Sequence, residues 1–151
     1  MIKHIWSVLC QKSSVDQQSN NVSLFDIFEA LEVNINPVPN VERPENLEFN
    51  LSVQYQVVTL WSKIDAKNAE GQVRITLINP DNKEKILVES ELKFPSDKRR
   101  MRSINQIQGL PVNKSGDYYF IVELKQKEKF EKVAELPLEV KLNLNTKPLQ
   151  N

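Results

Sequence analysis

The stretch Leu47-Glu48-Phe49-Asn50-Leu51-Ser52-Val53-Gln54-Tyr55-Gln56-Val57 decides the fold. Every odd position in it is apolar or aromatic and every even one is polar. A period of two is what an extended chain needs when one face packs on a core and the other meets water. At Val57-Val58 the parity slips, and Val58 and Leu60 continue in the other register toward Trp61, the pattern of a bulge or of a strand that changes sheet.

Toward the C-terminus the same period returns three times. Val73, Ile75 and Leu77 alternate with Arg74 and Thr76 up to Asn79-Pro80-Asp81-Asn82, a turn in which proline fixes φ and the Asn and Asp side chains bond the local backbone. The return strand carries Ile86, Val88, Leu92 and Phe94 on one parity, so the two segments make a hairpin. After a turn cluster from Pro111 to Asp117, Tyr118, Phe120, Val122 and Leu124 alternate. A charged turn, Lys125 to Lys129, leads to a last strand in which Ala134, Leu136, Leu138, Val140, Leu142 and Leu144 share one parity. Pro137 falls on the opposite parity, which fits an edge strand, where a missing N–H leaves no ladder bond unmade.

Toward the N-terminus, Ile2 to Cys10 reads as a strand with both parities largely apolar. Val22 to Leu31 is ambiguous: Leu24, Ile27, Phe28 and Leu31 fit helical spacing, whereas Phe25, Ile27, Val33 and Ile35 fit a strand. Turn spacing and segment count predict an all-β, two-sheet antiparallel sandwich of about seven to nine strands, with residues 1–151 forming one domain. A chain of 151 residues with 40% apolar and 26% charged side chains buries enough surface to fold without staples.

Ser115-Gly116-Asp117-Tyr118-Tyr119-Phe120-Ile121-Val122 resembles the penultimate strand of immunoglobulin-like sandwiches. The order of Asn21 to Phe28, the prolines from Pro37 to Pro44, the Asn79-Pro80-Asp81 hairpin and Ile107-Gln108-Gly109-Leu110-Pro111 is similar to that of an uncharacterised bacterial family of small one-domain proteins, known as a domain of unknown function. That resemblance implies an immunoglobulin-like fold and strand rather than helix at Val22 to Leu31. It implies no catalytic or binding residue.

Chemistry is sparse. One cysteine, Cys10, forbids an intrachain disulfide and fits a reducing compartment, so a cytoplasmic location is expected. The N-terminal apolar run is too short for a signal peptide, and no apolar stretch approaches the ~20 residues that span a bilayer. His4 and Cys10 share one parity but stand six residues, roughly 20 Å, apart, so they make no nucleophile–base pair, and nothing marks a serine partner for His4. One histidine and one cysteine all but exclude zinc. Asn79, Asp81, Asn82 and Glu84 offer oxygens for calcium, but turn chemistry explains them. No metal, cofactor or enzymatic activity is expected.

Three binding readings remain. The first is a protein-interaction module or assembly subunit, with a protein partner or self-association through open strands. The second is a carbohydrate or small-molecule site, for which Trp6 or Trp61 must reach the surface rather than fill the core. The third is an anion or nucleic-acid contact through Lys98, Arg99, Arg100 and Arg102, with Lys93 nearby; no aromatic side chain stands beside the cluster in sequence, and a solvated loop flanking a strand is the plainer account. The chain has 20 basic and 20 acidic residues, without the excess positive charge of a nucleic-acid binder. Charge drifts mildly, from 3 basic and 7 acidic in residues 1–50 to 8 and 6 in residues 101–151.

Overall fold

A computed structural model describes residues 1–36 and 48–144. Leu47, the prolines from Pro37 to Pro44, and the side chain of Leu144 lie outside the described residues. Nine strands run in order: β1 (Ile2–Val15), β2 (Val22–Ile27), β3 (Ala30–Ile35), β4 (Phe49–Lys63), β5 (Ala69–Ile78), β6 (Glu84–Phe94), β7 (Arg100–Val112), β8 (Gly116–Lys125) and β9 (Phe130–Leu144). They form a four-stranded sheet, β2-β1-β4-β7, and a five-stranded sheet, β3-β9-β8-β5-β6. This is an immunoglobulin-like β-sandwich. All pairs are antiparallel except β3 with β9, which is parallel.

The core lies between the sheets. Tyr55, Val57 and Trp61 of β4 meet Val73 and Ile75 of β5, Phe94 of β6, and Tyr118, Phe120 and Val122 of β8, all buried. Tyr55 and Phe120 pack edge to face with centroids 5.7 Å apart, and the Tyr55 hydroxyl donates to the Gly109 carbonyl at 3.0 Å. A buried phenol finds an acceptor here, so its polar end carries no desolvation penalty.

Several sequence expectations change. Between residues 22 and 31 the chain is strand, broken at Phe28-Glu29, where it crosses from one sheet to the other: the Phe28 amide donates to Leu9 and the Glu139 amide to Glu29. No bulge occurs at Val57-Val58, because β4 keeps its parity through Val57, Thr59, Trp61 and Lys63, all inward and buried, while Val58 faces outward. The irregularity sits at Leu51/Gln54, where Ser52 and Val53 stand opposite Gly109. Gly109 has φ +86, and the Asn50 side chain would be 2.6 Å from a Cβ there, so only glycine fits. In β6 a register shift opposite Ile75/Thr76 turns Ile86 out of the core face to 53% exposure. The edge expected at Pro137 holds only for the first part of β9. From Glu139 onward β3 covers that side, which makes β9 an interior strand.

The β7–β8 corner is tied by Tyr118. Its hydroxyl donates to the Lys114 carbonyl at 2.8 Å and receives the Asn113 amide at 3.1 Å, the tyrosine corner of this fold. Tyr118→Phe removes the hydroxyl and leaves both backbone groups without it in a part-buried corner. Urea unfolding should show stability lower by about 1–3 kcal/mol with an unchanged m-value.

Candidate functional site

The outer face of the four-stranded sheet is built by pairing register. Residues directly opposite share a face, so Lys3, Ser62 and Arg100 form one outward row across β1, β4 and β7. Trp6, Leu60 and Arg102 form the next, followed by Val8, Val58 and Ile104, then Cys10, Gln56 and Gln106. A bulge between His4 and Trp6 makes this possible: Ile5 is the extra residue, and parity reverses after it. His4 therefore points inward and Cys10 outward, and the shared parity expected of them does not hold.

Part of this face is roofed. Beyond the Cys10–Gln56 pair, β1 leaves β4 and pairs only with β2. Continued in plane, the turn at residues 16–21 would end about 30 Å from Arg102 along the strand. Instead the Arg102 guanidinium donates to the Asn20 backbone carbonyl at 2.8 Å and to its side-chain oxygen at 3.0 Å, and Ser13 Oγ donates to Gln56 Oε1 at 2.6 Å. The β1–β2 hairpin is thus an arm folded back over its own sheet. Val58 and Cys10, both outward, are fully buried beneath it. Asn20 at φ 58 closes the turn, and Asp26 at φ 53 lies where the arm begins.

Charge is divided between the two sheets. β1, β4 and β7 contain no aspartate or glutamate. With β2, the four-stranded sheet carries Lys3, Lys12, Lys63, Arg100 and Arg102 against Asp26 alone. The strands of the five-stranded sheet carry ten acidic residues against six basic ones. Lys63 is spent internally, buried with its ammonium on the carbonyls of Lys67 and Pro95. Among the described residues, Lys3, Lys12, Lys98, Arg99 and Arg100 form no ion pair.

The basic cluster is therefore split. Lys98 and Arg99 lie in the β6–β7 turn, while Arg100 and Arg102 are strand residues on the outer face rather than parts of a loop. Trp6 stands in the same row as Arg102, two strands or about 10 Å away. The sequence gives no aromatic neighbour to this cluster, but the sheet supplies one. Trp61 is wholly buried, donating from Nε1 to Ser103 Oγ at 2.8 Å, whereas Trp6 is partly exposed on the outer face. Acrylamide should quench the emission of a Trp61→Phe variant, which retains Trp6, and leave that of Trp6→Phe largely shielded.

The other candidates are structurally occupied. His4 Nε2 lies 2.9 Å from Ser7 Oγ, which lies 2.8 Å from Thr59 Oγ1, and the ring packs edge to face on Trp61 at 5.7 Å. Sequence spacing gave no sign of Ser7, because the bulge is what brings it to His4. Burial lowers the His4 pKa, favouring the neutral ring. Burial raises that of Cys10, which keeps the thiol protonated. In the Asn79 turn, Asn79 Oδ1 accepts the amides of Asp81 and Lys83 at 3.0 and 2.9 Å. The Asp81 carboxylate is taken by Lys114 Nζ and Asn113 Nδ2, and the Lys114 hydrogen bond holds its pKa below the usual range. These oxygens do not converge on a cation. Among the described residues, no group of three or more His, Cys, Asp or Glu side chains is placed to hold a metal, and no helix is long and apolar enough to cross a membrane.

The described residues include two shallow depressions of note. One of about 360 Å³ is lined by Glu70, Gln72, Glu91, Lys93, Lys125 and neighbours, and one of about 390 Å³ by Glu48, Asn79, Asp81, Lys83 and Asn113. Neither contains His4, Cys10 or Trp6. No known protein-family model matches the chain, and no curated protein sequence matches it.

On the opposite sheet Arg74 is clamped. Its Nε and Nη2 donate to Glu123 at 2.7 and 3.1 Å, Thr76 donates to the same carboxylate at 3.3 Å, and the guanidinium lies 3.9 Å over the Phe130 ring. The Arg74 hydrogen bonds lower the Glu123 pKa, while Glu123 raises that of Arg74. A carboxyl with a depressed folded-state pKa contributes stability above its unfolded value, and the contribution disappears as pH falls through the folded value. Between about pH 5 and pH 3 the parent chain should lose more stability than Glu123→Gln, which starts about 1 kcal/mol lower at neutral pH. Urea titrations across that range read the difference.

Proposed function

We propose that the chain is a non-enzymatic, cytoplasmic protein-interaction module that docks an acidic protein surface on the outer face of its four-stranded sheet. One observation carries this reading: among the described residues Lys3 and Arg100 form no ion pair, and they stand beside partly exposed Trp6 on a face whose strands β1, β4 and β7 hold no acidic residue. Aromatic and arginine side chains are enriched where protein surfaces meet, and a field of one sign steers partners of the other. The ordering of Ile107 to Pro111 before Ser115 to Val122 supports membership in the bacterial family of small one-domain proteins that this order resembles.

A second reading, a nucleic-acid or other polyanion site, draws on the same surface, because basic side chains around an aromatic ring also bind phosphate and base. The two separate on one experiment. The tagged chain and a Lys3→Glu/Arg100→Glu variant are recovered from native cells at about 150 mM salt, with and without nuclease. An acidic protein retained by the parent, resistant to nuclease and lost from the variant supports the module. Retention of nucleic acid supports the second reading. Identical recoveries from parent and variant would overturn both.

A further inference from the structure

The acidic surface that complements this face is present on the chain itself. Asp117 and Glu139 sit directly opposite each other on β8 and β9, both exposed, and neither has an ion-pair partner among the described residues. Like charges in register oppose pairing. Glu135 lies on the same face, opposite Ile121, with Tyr119 and Pro137 in the row between. Glu135 is bridged to Lys132 and Glu123 to Arg74, whereas at the Asp117–Glu139 end two acids stand against one base, Lys141, two residues beyond Glu139 on the same face and without an ion pair among the described residues. On the other sheet, Lys3 and Arg100 are uncompensated in the same sense with opposite sign.

We propose that the occupant of the basic face is a second copy of this chain, presenting the acidic outer face of its five-stranded sheet, so that copies associate head to tail. The proposal rests on the reading of the basic face as a docking surface and names its partner. Because the two patches lie on opposite faces of one sandwich, the contact is heterologous and leaves a free patch of each sign at the ends of every complex, so it propagates rather than closing as a two-fold dimer. Size sets its strength. With the arm roofing the rows from Val8 onward, the open part is little more than the Lys3–Arg100 and Trp6–Arg102 rows, three strands about 4.8 Å apart and about four residues long, roughly 200 Å² against the ~800 Å² per partner of a standard stable interface. Association is therefore weak, dependent on concentration and governed by charge. The two faces bring an apolar centre as well, Trp6 and Leu60 on one and Tyr119 and Pro137 on the other, flanked by the charged pairs.

Sedimentation velocity of the full chain tests this. At about 20 mM salt the weight-average sedimentation coefficient should rise continuously with loading concentration, without a plateau at the dimer, and at about 1 M salt, where the Debye length is ~3 Å, it should return to the monomer value. Lys3→Glu/Arg100→Glu and Asp117→Lys/Glu139→Lys should each remain monomeric alone, and mixing the two should restore association, because each retains one native patch. A monomer at every salt and concentration overturns the proposal. So does a dimer that salt leaves intact, or a mixture that stays monomeric. A chain that is monomeric alone yet retains an acidic partner lost with Lys3→Glu/Arg100→Glu refutes self-association while leaving the docking face in place.

Discussion

The two-faced geometry of β4 governs the rest of the molecule. It is paired along both sides, to β1 over its second half and to β7 over nearly its whole length, so each of its side chains is committed to the core or to the outer face of the same sheet. Tyr55, Val57 and Trp61 go inward and fix the spacing to β5 and β8. Once they do, Val58 and Leu60 must go outward, and a fully apolar outward residue in the middle of a sheet needs cover. The folded-back arm supplies it, burying Val58 completely. The arm is thus a consequence of the same alternation that makes the core.

Bulges let neighbouring strands follow this constraint while their sequences depart from simple alternation. Ile5 absorbs a parity change in β1, so His4 can close the core edge against Trp61 while Trp6 joins the outer face. In β7, Gly109 does the same: Ile107 points inward before it, Leu110 and Val112 after it, and its carbonyl takes the Tyr55 hydroxyl. A side chain at 109 would have to displace Asn50 and adopt a positive φ, so this position couples register, core hydrogen bonding and the direction of the β7 face.

How much of this was legible follows from where apolar alternation survives. The hairpin from Val73 to Phe94, the strand from Tyr118 and the last strand are read from their period, because their inward positions are Val, Ile, Leu and Phe. The first part of β7 has no such signal: its inward residues include Ser103 and Asn105, which serve as partners for Trp61 Nε1 and Ser90 Oγ, while apolar Ile104 faces out. A strand whose core face is polar and hydrogen-bonded reads as a loop, and that is why Arg100 and Arg102 look like loop charges in sequence. The arm is equally silent, since its direction is set by long-range bonds from Arg102 and Gln56 rather than by local propensity.

Charge segregation was hidden for a topological reason. Strands of the two sheets interleave along the chain, β1, β2 and β4 alternating with β3 and then β5, β6, β8 and β9 around β7, so a window long enough to span several elements averages the two sheets. Net charge is zero over the chain, yet the sheets carry opposite signs. The division has a mechanical side. Within the five-stranded sheet, acidic and basic side chains are close enough to pair, as Arg74 with Glu123 and Lys132 with Glu135, and such pairs add locally to stability. The four-stranded sheet has no acid on its three full-length strands to pair with, so Lys3 and Arg100 add nothing comparable to the fold, and their field is projected into solvent.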